Sequence, residues 1–274
     1  MKRNPIGVFD SGIGGLTVLR EITSLLPNES TIYFGDTARV PYGSKSRETI
    51  ERYSFEIAAF LAKHDIKMLV AACNTASAFA VPGLARELPI PVLGVILPGA
   101  RAAAAATRTG RVGVIGTEGT IKSGAYVSAI KAENPAVSAF VEACPLFVPL
   151  VEEGWAEDEI TVKVAERYLA GLKEASIDTL VLGCTHYPLL KKTIASVMGD
   201  GVTLIDSAAS TAAEVKRTLA ERGLLNDCAG AASHRFFVTD SPERFMVVGK
   251  RFFGDKLSEA VLAVLTEAQD AQKT

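Results

Sequence analysis

The stretch LVLGCTHYPLL at residues 180 to 190 runs from an aliphatic segment directly into a cysteine, a threonine and a histidine. Its first residues have the length and composition of a parallel strand that is covered on both faces. Pro188 is tolerated in the first turn of a helix, so a helix is predicted to begin near Thr185. Cys184 is therefore expected at the carboxyl edge of a parallel sheet, where open α/β folds place their ligands.

A second cysteine has the same surroundings. Residues 69 to 75 read LVAACNT, an aliphatic run that ends in Cys73 and continues into a helix for which Asn74 is the predicted cap. A single cysteine of this kind is most often a small buried apolar residue, and His186 would then be a surface group. Two such junctions in one chain favour a chemical role for both thiols, because a helix start lowers a thiol's pKa and attracts carboxylates.

Two opposed thiols suit the inversion of a stereocentre. Such a reaction removes a proton from one face of a carbon atom and supplies a proton to the other face, so a base and an acid must flank that carbon. A thiolate and a thiol exchange these roles when the reaction runs backwards. A free thiol is only a few per cent ionised at about pH 7. Lowering its pKa from about 8.5 to about 7 corresponds to about 2 kcal/mol, which a helix start and a polar neighbour can supply.

Predicted strands and helices alternate along the chain, which favours parallel sheets with helices on both faces. Asp10 precedes Cys73 by 63 positions, and Gly116 precedes Cys184 by 68 positions. Each of the two units supplies a glycine-containing loop and a cysteine. We therefore predict an α/β fold of two pseudo-symmetric parallel-sheet domains that face each other across a central cleft.

The predicted boundaries divide the chain into a discontinuous first domain and a continuous second one. Residues 1–97 and 207–274 form the first domain, which contributes Asp10 and Cys73, because the last part of the chain has no counterpart in the second unit. Residues 98–206 form the second domain, which contributes Glu152, Cys184 and His186. The ligand is expected in the cleft between the two domains.

The loop after the first predicted strand reads DSGIGG at residues 10 to 15. It lacks the third glycine of a dinucleotide fingerprint and the Gly-Lys-Ser/Thr of a phosphate-binding loop. Its amides can approach a small anion, and a tight turn capped by Asp10 fits the same residues equally well. Glu152 and Glu153 leave a similar choice, since they could cap a helix at residues 158–175 or one of them could face the cleft.

Composition excludes several classes of protein. The net charge of −2 is spread over the chain without a basic stripe, so nucleic acid is not an expected partner. No apolar run approaches the roughly 20 residues that span a bilayer, so no membrane is expected and the protein should be cytoplasmic. The four cysteines form no CxxC pair and should be reduced. The three histidines lack zinc-ligand spacing, so no metal is expected.

The sequence resembles the glutamate racemases, which belong to the cofactor-independent amino-acid racemase superfamily that also includes aspartate racemases. The resemblance covers essentially the whole chain. It rests on FDSGIGGL at 9–16, GDT at 35–37, PYG at 41–43, ACNTAS at 72–77, PLFVPLVE at 145–152 and LGCTHYPLL at 182–190.

The resemblance implies conversion between L- and D-glutamate without pyridoxal phosphate or another cofactor, and a supply of D-glutamate for peptidoglycan. By the family pattern, Cys73 is the base toward D-glutamate and is assisted by Asp10. Cys184 is the base toward L-glutamate and is assisted by His186 with Glu152. The substrate contacts that the resemblance implies are Asp10, Ser11, Tyr42, Gly43, Asn74, Thr75, Thr117, Thr120, Thr185 and His186.

Other functions remain open at this point. Hydroxyls and amides would serve aspartate as well as glutamate, so an aspartate racemase is one alternative. Cys184 and His186 could be the nucleophile and base of an amidase, although that leaves Cys73 unused. A two-domain binding protein is a third alternative. The expected partners are glutamate as a small-molecule substrate and a second copy of the chain in a homodimer.

Overall fold

The structure is a computed structural model that describes residues 1–227, 232–257 and 259–265. Its strands are short, and most are buried apolar runs. They are β1 (Ile6–Asp10), β2 (Thr31–Gly35), β3 (Met68–Ala71), β4 (Val92–Gly94), β5 (Arg111–Gly116), β6 (Ser138–Ala143), β7 (Thr179–Gly183), β8 (Thr203–Asp206), β9 (His234–Val238) and β10 (Ala260–Leu262).

Helices separate the strands throughout the described chain. They are α1 (Leu16–Leu25), α2 (Arg47–Ala62), α3 (Asn74–Phe79), α4 (Val81–Glu87), α5 (Ile96–Ala106), α6 (Glu118–Lys122), α7 (Ala125–Glu133), α8 (Phe147–Glu152), α9 (Glu159–Glu174), α10 (Lys191–Met198), α11 (Ser207–Glu221) and α12 (Pro242–Phe253). Within the described ranges, no helix is both long enough and apolar enough to cross a bilayer.

The strands form two sheets in which every pairing is parallel. The six-stranded sheet has the order β10-β9-β2-β1-β3-β4, and the four-stranded sheet has the order β6-β5-β7-β8. Four strands of each sheet repeat one arrangement, with the first strand of the unit between the second and the third. The prediction of an α/β fold with two parallel-sheet domains is confirmed. The predicted boundaries at 97/98 and 206/207 stay a prediction, and residues 266–274 lie outside the described residues.

The two sheets are joined by helix packing and by a direct hydrogen bond. Helix α11 packs against α1, which follows β1 of the larger sheet, and also against α5, which precedes β5 of the smaller sheet. Thr17 of α1 donates its hydroxyl proton to the carbonyl oxygen of Thr185, which follows β7, at 3.1 Å. The ends of β1 and β7 are therefore held close together.

Two predicted details of the helix starts are wrong. Asn74 is the first residue of α3, and the cap is Cys73, whose Sγ accepts from the amide of Ala76 at 3.5 Å. After Cys184 the chain forms a 3-10 turn at Tyr187–Leu190 before α10 begins, because Pro188 fits a first turn of either kind. Both thiols nevertheless lie directly after a buried strand.

Helix α8 has no counterpart in the sequence prediction, and it determines where Glu152 lies. Glu152 is the last residue of α8, whereas α9 is capped by Asp158, whose Oδ1 accepts from the amide of Ile160 at 2.8 Å. The alternative that Glu152 or Glu153 caps α9 is therefore wrong. Glu152 faces the cleft instead.

A buried ion pair stabilises the larger sheet at the amino-terminal ends of its strands. Lys67 precedes β3 and Glu29 precedes β2, and both are 2% exposed. The Lys67 Nζ contacts Glu29 Oε2 and also donates to the carbonyl oxygens of Lys2 and Leu224. This one ammonium group therefore ties the start of the chain and the segment after α11 to the sheet.

Replacing Lys67 by Met should destabilise the protein by about 3–5 kcal/mol, because the Glu29 carboxylate then stays buried without its partner. Denaturant unfolding followed by circular dichroism measures this. The control is Lys192→Met, which removes an exposed ion pair with Glu157 and should leave the unfolding midpoint close to that of the original protein. Equal midpoints for Lys67→Met and Lys192→Met would contradict the prediction.

Candidate active site

A cavity of about 350 Å³ lies at the carboxyl ends of both sheets, and both cysteines line it. Cys73 follows β3 and Cys184 follows β7, which occupy the same place in the two repeated arrangements. Every predicted site residue except Asp10 lines this cavity. The lining residues are Ser11, Gly12, Ile13, Val40, Pro41, Tyr42, Gly43, Cys73, Asn74, Thr75, Thr117, Thr120, Val148, Pro149, Glu152, Gly183, Cys184, Thr185 and His186.

The Cys73 side of the cavity belongs entirely to the larger sheet. The Cys73 Sγ accepts from the amide of Ala76 at 3.5 Å and lies 3.7 Å from the hydroxyl of Ser11. Burial and the negative charge of Asp10 raise the pKa of the Cys73 thiol to about 12. The raised pKa favours the protonated form of the Cys73 thiol at neutral pH.

Asp10 lies behind the cavity wall. It is 1% exposed, and its Oδ2 accepts from the amide of Gly12 at 2.9 Å. Burial raises the pKa of this carboxyl group, while the positive charge of His186 acts in the opposite direction. Its other oxygen has no hydrogen-bond partner among the described residues. Assistance to Cys73 and contact with substrate both stay predictions for Asp10.

The Cys184 side of the cavity contains a chain of three groups. The Cys184 Sγ lies 3.9 Å from His186 Nδ1, and His186 Nε2 lies 3.0 Å from Glu152 Oε1. Burial alone lowers the pKa of His186, but its hydrogen bonds to Cys184 and Glu152 outweigh burial and raise it to about 10. The hydrogen bond from His186 lowers the pKa of Glu152. A charged imidazolium therefore lies between the Cys184 sulfur and the Glu152 carboxylate at neutral pH.

Three threonine hydroxyls meet across the cleft. Thr75 of the larger sheet's domain lies 2.9 Å from Thr117 and 3.0 Å from Thr120, and the latter two are 3.1 Å apart. Gly43 packs directly on this group, since a Cβ there would lie 2.7 Å from the Cβ of Thr117. The hydroxyls give one end of the cavity a neutral polar wall that can donate to a carboxylate.

Asn74 and Tyr42 differ in what they offer to a ligand. The Asn74 Oδ1 accepts from the hydroxyl of Tyr126 at 2.7 Å, which leaves its buried Nδ2 without a partner among the described residues. That amide nitrogen is free to donate to a substrate oxygen. The Tyr42 hydroxyl donates to Asp36 Oδ2 at 2.5 Å, so the residue lines the cavity while its polar group is already bound.

Sequence reasoning missed two side chains next to this site. Arg244 Nη2 lies 3.8 Å from Glu152 Oε2, and the Phe252 ring meets the His186 ring edge-on at 5.2 Å between centroids. Both come from α12, which is distant in sequence from the motifs around the cysteines. Only the helical spacing of 244, 251 and 252 on one face could have drawn attention to them.

Comparisons with known proteins place the chain among racemases. A family model described as Asp/Glu/Hydantoin racemase matches residues 6–215. A glutamate racemase from Geobacter metallireducens is 60% identical over 264 residues, which is 96% of this chain and 97% of the relative. Glutamate racemase isoform RacE1 from Bacillus anthracis superimposes with a TM-score of 0.93 at 42% identity, covering 97% of this chain and 99% of that one. A Francisella tularensis glutamate racemase in complex with D-glutamate gives a TM-score of 0.91 at 40% identity over 97% and 99%.

The charge state of His186 can be tested directly, because the chain has only three histidines. Burial lowers the pKa of His64 and of His234, whereas His186 titrates at about 10. Nuclear magnetic resonance of the imidazole protons should show one ring that stays charged through pH 8. Glu152→Gln removes one hydrogen bond that stabilises the imidazolium, so the pKa of His186 should fall.

The same shift affects folding stability in a defined pH window. Because folding raises the pKa of His186 from 6.5 to about 10, its stabilising contribution is complete below pH 6.5 and is lost as the pH rises through about 10. Glu152→Gln should therefore flatten the stability profile between those limits. An unchanged histidine titration in Glu152→Gln would contradict the coupling of the two groups.

Proposed function

Since this chain belongs to the Asp/Glu/hydantoin racemase family, we propose that it interconverts L- and D-glutamate with Cys73 and Cys184 as the two groups that move protons. One observation carries the assignment of the thiols: both line a single cavity, and each comes from the corresponding strand end of a different sheet. The reaction is an isomerisation, and the D-glutamate formed supplies peptidoglycan synthesis.

In the direction from L- to D-glutamate, the Cys184 thiolate takes the α-proton and becomes a thiol. The Cys73 thiol gives its proton to the opposite face of the carbanion and becomes a thiolate. The raised pKa of Cys73, which favours the protonated thiol, suits this role as acid. In the reverse direction the Cys73 thiolate takes the proton and the Cys184 thiol returns one. Each turnover leaves the two sulfurs with exchanged protonation states, which solvent then resets.

The two halves have different assisting groups. His186 and Glu152 place positive and negative charge beside Cys184, so the imidazolium stabilises a thiolate there by direct attraction. Asp10 lies beside Cys73 and adds negative charge that favours the protonated thiol. With the substrate bound, its ammonium group brings a compensating positive charge into the cavity. This arrangement supports the proposal that Asp10 assists Cys73 and that His186 with Glu152 assists Cys184.

Neutral donors hold the substrate carboxylates. Among the residues that the structure describes, the cavity lining contains no lysine or arginine, and His186 is its one basic residue. The Asn74 amide, the Ser11 and Thr185 hydroxyls, and the threonine hydroxyls 75, 117 and 120 provide the polar surface instead. A weakly charged wall suits a racemase, because both enantiomers must bind with their α-carbon between the same two sulfurs.

An amidase that uses Cys184 and His186 would also fit their contact at 3.9 Å. That function leaves the second thiol in the cavity unexplained. The relatives at 40–60% identity over nearly the whole chain are named glutamate racemases. An aspartate racemase is disfavoured for the same reason. The expected homodimer and the cytoplasmic location stay predictions, the first of which light scattering on the purified protein tests.

Deuterium oxide distinguishes two opposed bases from one. The D-glutamate formed early from L-glutamate should carry deuterium at the α-carbon, while the remaining L-glutamate stays mostly protiated. Mass spectrometry of the separated enantiomers measures both. Cys73→Ser and Cys184→Ser should each lower the rate of racemisation by at least about 100-fold, because a serine hydroxyl does not ionise near neutral pH. Substantial protium in the early product, or full activity in either variant, would rule out the two-thiol mechanism.

Replacing Gly14 by alanine tests whether activity requires the close contact between the two domains at the site. A Cβ at this position would lie 2.3 Å from Thr185 Oγ1 and 2.4 Å from His186 Nδ1, so both side chains would have to move. Gly14→Ala should therefore lower kcat/KM by about 100-fold with the fold retained. Gly171→Ala is the matched control, because nothing lies within 4 Å of a Cβ there. Activity equal to that of the control would show that the close approach is not required.

A further inference from the structure

We propose that one face of α12, formed by Arg244, Arg251 and Phe252, positions the His186–Glu152 pair for proton transfer at Cys184. We call these three side chains the α12 face. The inference rests on the proposed function, since it concerns which half of the two-thiol mechanism this helix serves. None of the three residues lines the cavity, so they are positioning residues and act through Glu152 and His186.

Two arginines of α12 contact Glu152, one at its carboxylate and the other at its backbone carbonyl oxygen. The Arg244 guanidinium lies 3.8 Å from the Glu152 carboxylate and is one of the charges that lower its pKa. Arg251 donates from Nη1 to the carbonyl oxygen of Glu152. Gly154 gives Arg251 the room to do so, since a Cβ there would lie 3.0 Å from the guanidinium carbon. Helix α12 therefore contacts both the side chain and the backbone of Glu152.

The third residue fixes the imidazole. Phe252 is fully buried, and its ring meets the His186 ring at an interplanar angle of 80° and a centroid distance of 5.2 Å. Arg20 of α1 donates to the carbonyl oxygen of Phe252 at 3.2 Å, which ties this end of α12 to the larger sheet's domain. The orientation of the His186 ring relative to Cys184 thus depends on a side chain from outside its own domain.

The α12 face and the pair it contacts belong to different sheets. Helix α12 follows β9 and packs against α1, both of which belong to the larger sheet's domain. Glu152 ends α8 and His186 follows β7, so both come from the chain of the smaller sheet. The contacts of Cys73 with Ser11 and Ala76 stay within the larger sheet's domain. Substitutions in the α12 face should therefore slow proton transfer at Cys184 and leave proton transfer at Cys73 unchanged.

Thermodynamics determines how such an asymmetry can be observed. L- and D-glutamate have equal free energies, so kcat/KM must remain equal in the two directions for every variant. The difference appears in the isotope effects instead. If proton transfer at Cys184 becomes slower, removal of the α-deuteron from L-glutamate becomes the main rate-limiting step. The α-deuterium isotope effect with L-glutamate then increases. In the reverse direction, the slow step becomes protonation by Cys184, and the α-deuterium effect with D-glutamate declines.

The test compares Arg244→Met and Arg251→Met with Lys250→Met in the full-length protein. Lys250 is an exposed cation on the same helix and has no part in the α12 face. We expect kcat to fall about 10-fold in the two arginine variants, as misplacement of an assisting group implies. The α-deuterium effect on kcat/KM should rise with L-glutamate and decline with D-glutamate. Lys250→Met should match the original protein, and Arg244→Lys should recover part of the lost kcat.

Each outcome decides one claim. Equal changes in both isotope effects, or isotope effects like those of Lys250→Met, would overturn the role of the α12 face. A thermal unfolding midpoint lowered in the arginine variants together with unchanged isotope effects would show that the face is only structural. The proposed function fails separately, if the original protein does not interconvert L- and D-glutamate or if it racemises glutamate without its two cysteines.

Discussion

Inverting one carbon atom requires an acid and a base on opposite faces of it, and a single strand end cannot supply both. The protein meets this requirement by placing the carboxyl ends of two parallel sheets around one cavity. Each sheet contributes one thiol from its third strand, Cys73 after β3 and Cys184 after β7. The two sheet edges are brought together by the strand order, by the glycine-containing loops and by α11, which packs between the two units.

The repeated architecture does not give the two thiols the same electrostatic surroundings. Cys73 is buried beside a carboxylate, which raises its pKa to about 12. Cys184 faces a histidine whose own pKa is raised to about 10 through its contacts with Cys184 and Glu152. The raised pKa favours the protonated form of the Cys73 thiol, whereas the group beside the Cys184 sulfur is an imidazole paired with a carboxylate.

Side chains and loops of the two domains pack closely against each other at the cavity. Gly14 leaves room for Thr185 and His186, and Gly43 leaves room for Thr117, so side chains of one domain rest directly on the loops of the other. Helix α12 adds a second set of contacts across the same interface. The His186 Nδ1 lies 3.9 Å from the Cys184 sulfur, which is close to the longest distance at which a hydrogen bond to sulfur is useful.

The sequence by itself determined the alternation of strands and helices, the two-domain α/β fold and the residues at the strand ends, because apolar runs, glycine turns and cysteine positions are local signals. Its motifs also identified every polar residue of the cavity wall. Tertiary structure decided the rest. The cap at Cys73, the helix that ends at Glu152, the position of Asp10 behind the wall and the approach of Arg244 and Phe252 all depend on packing between segments far apart in sequence. Local propensity carries no information about such contacts, since burial and partners are set only when the two sheets come together.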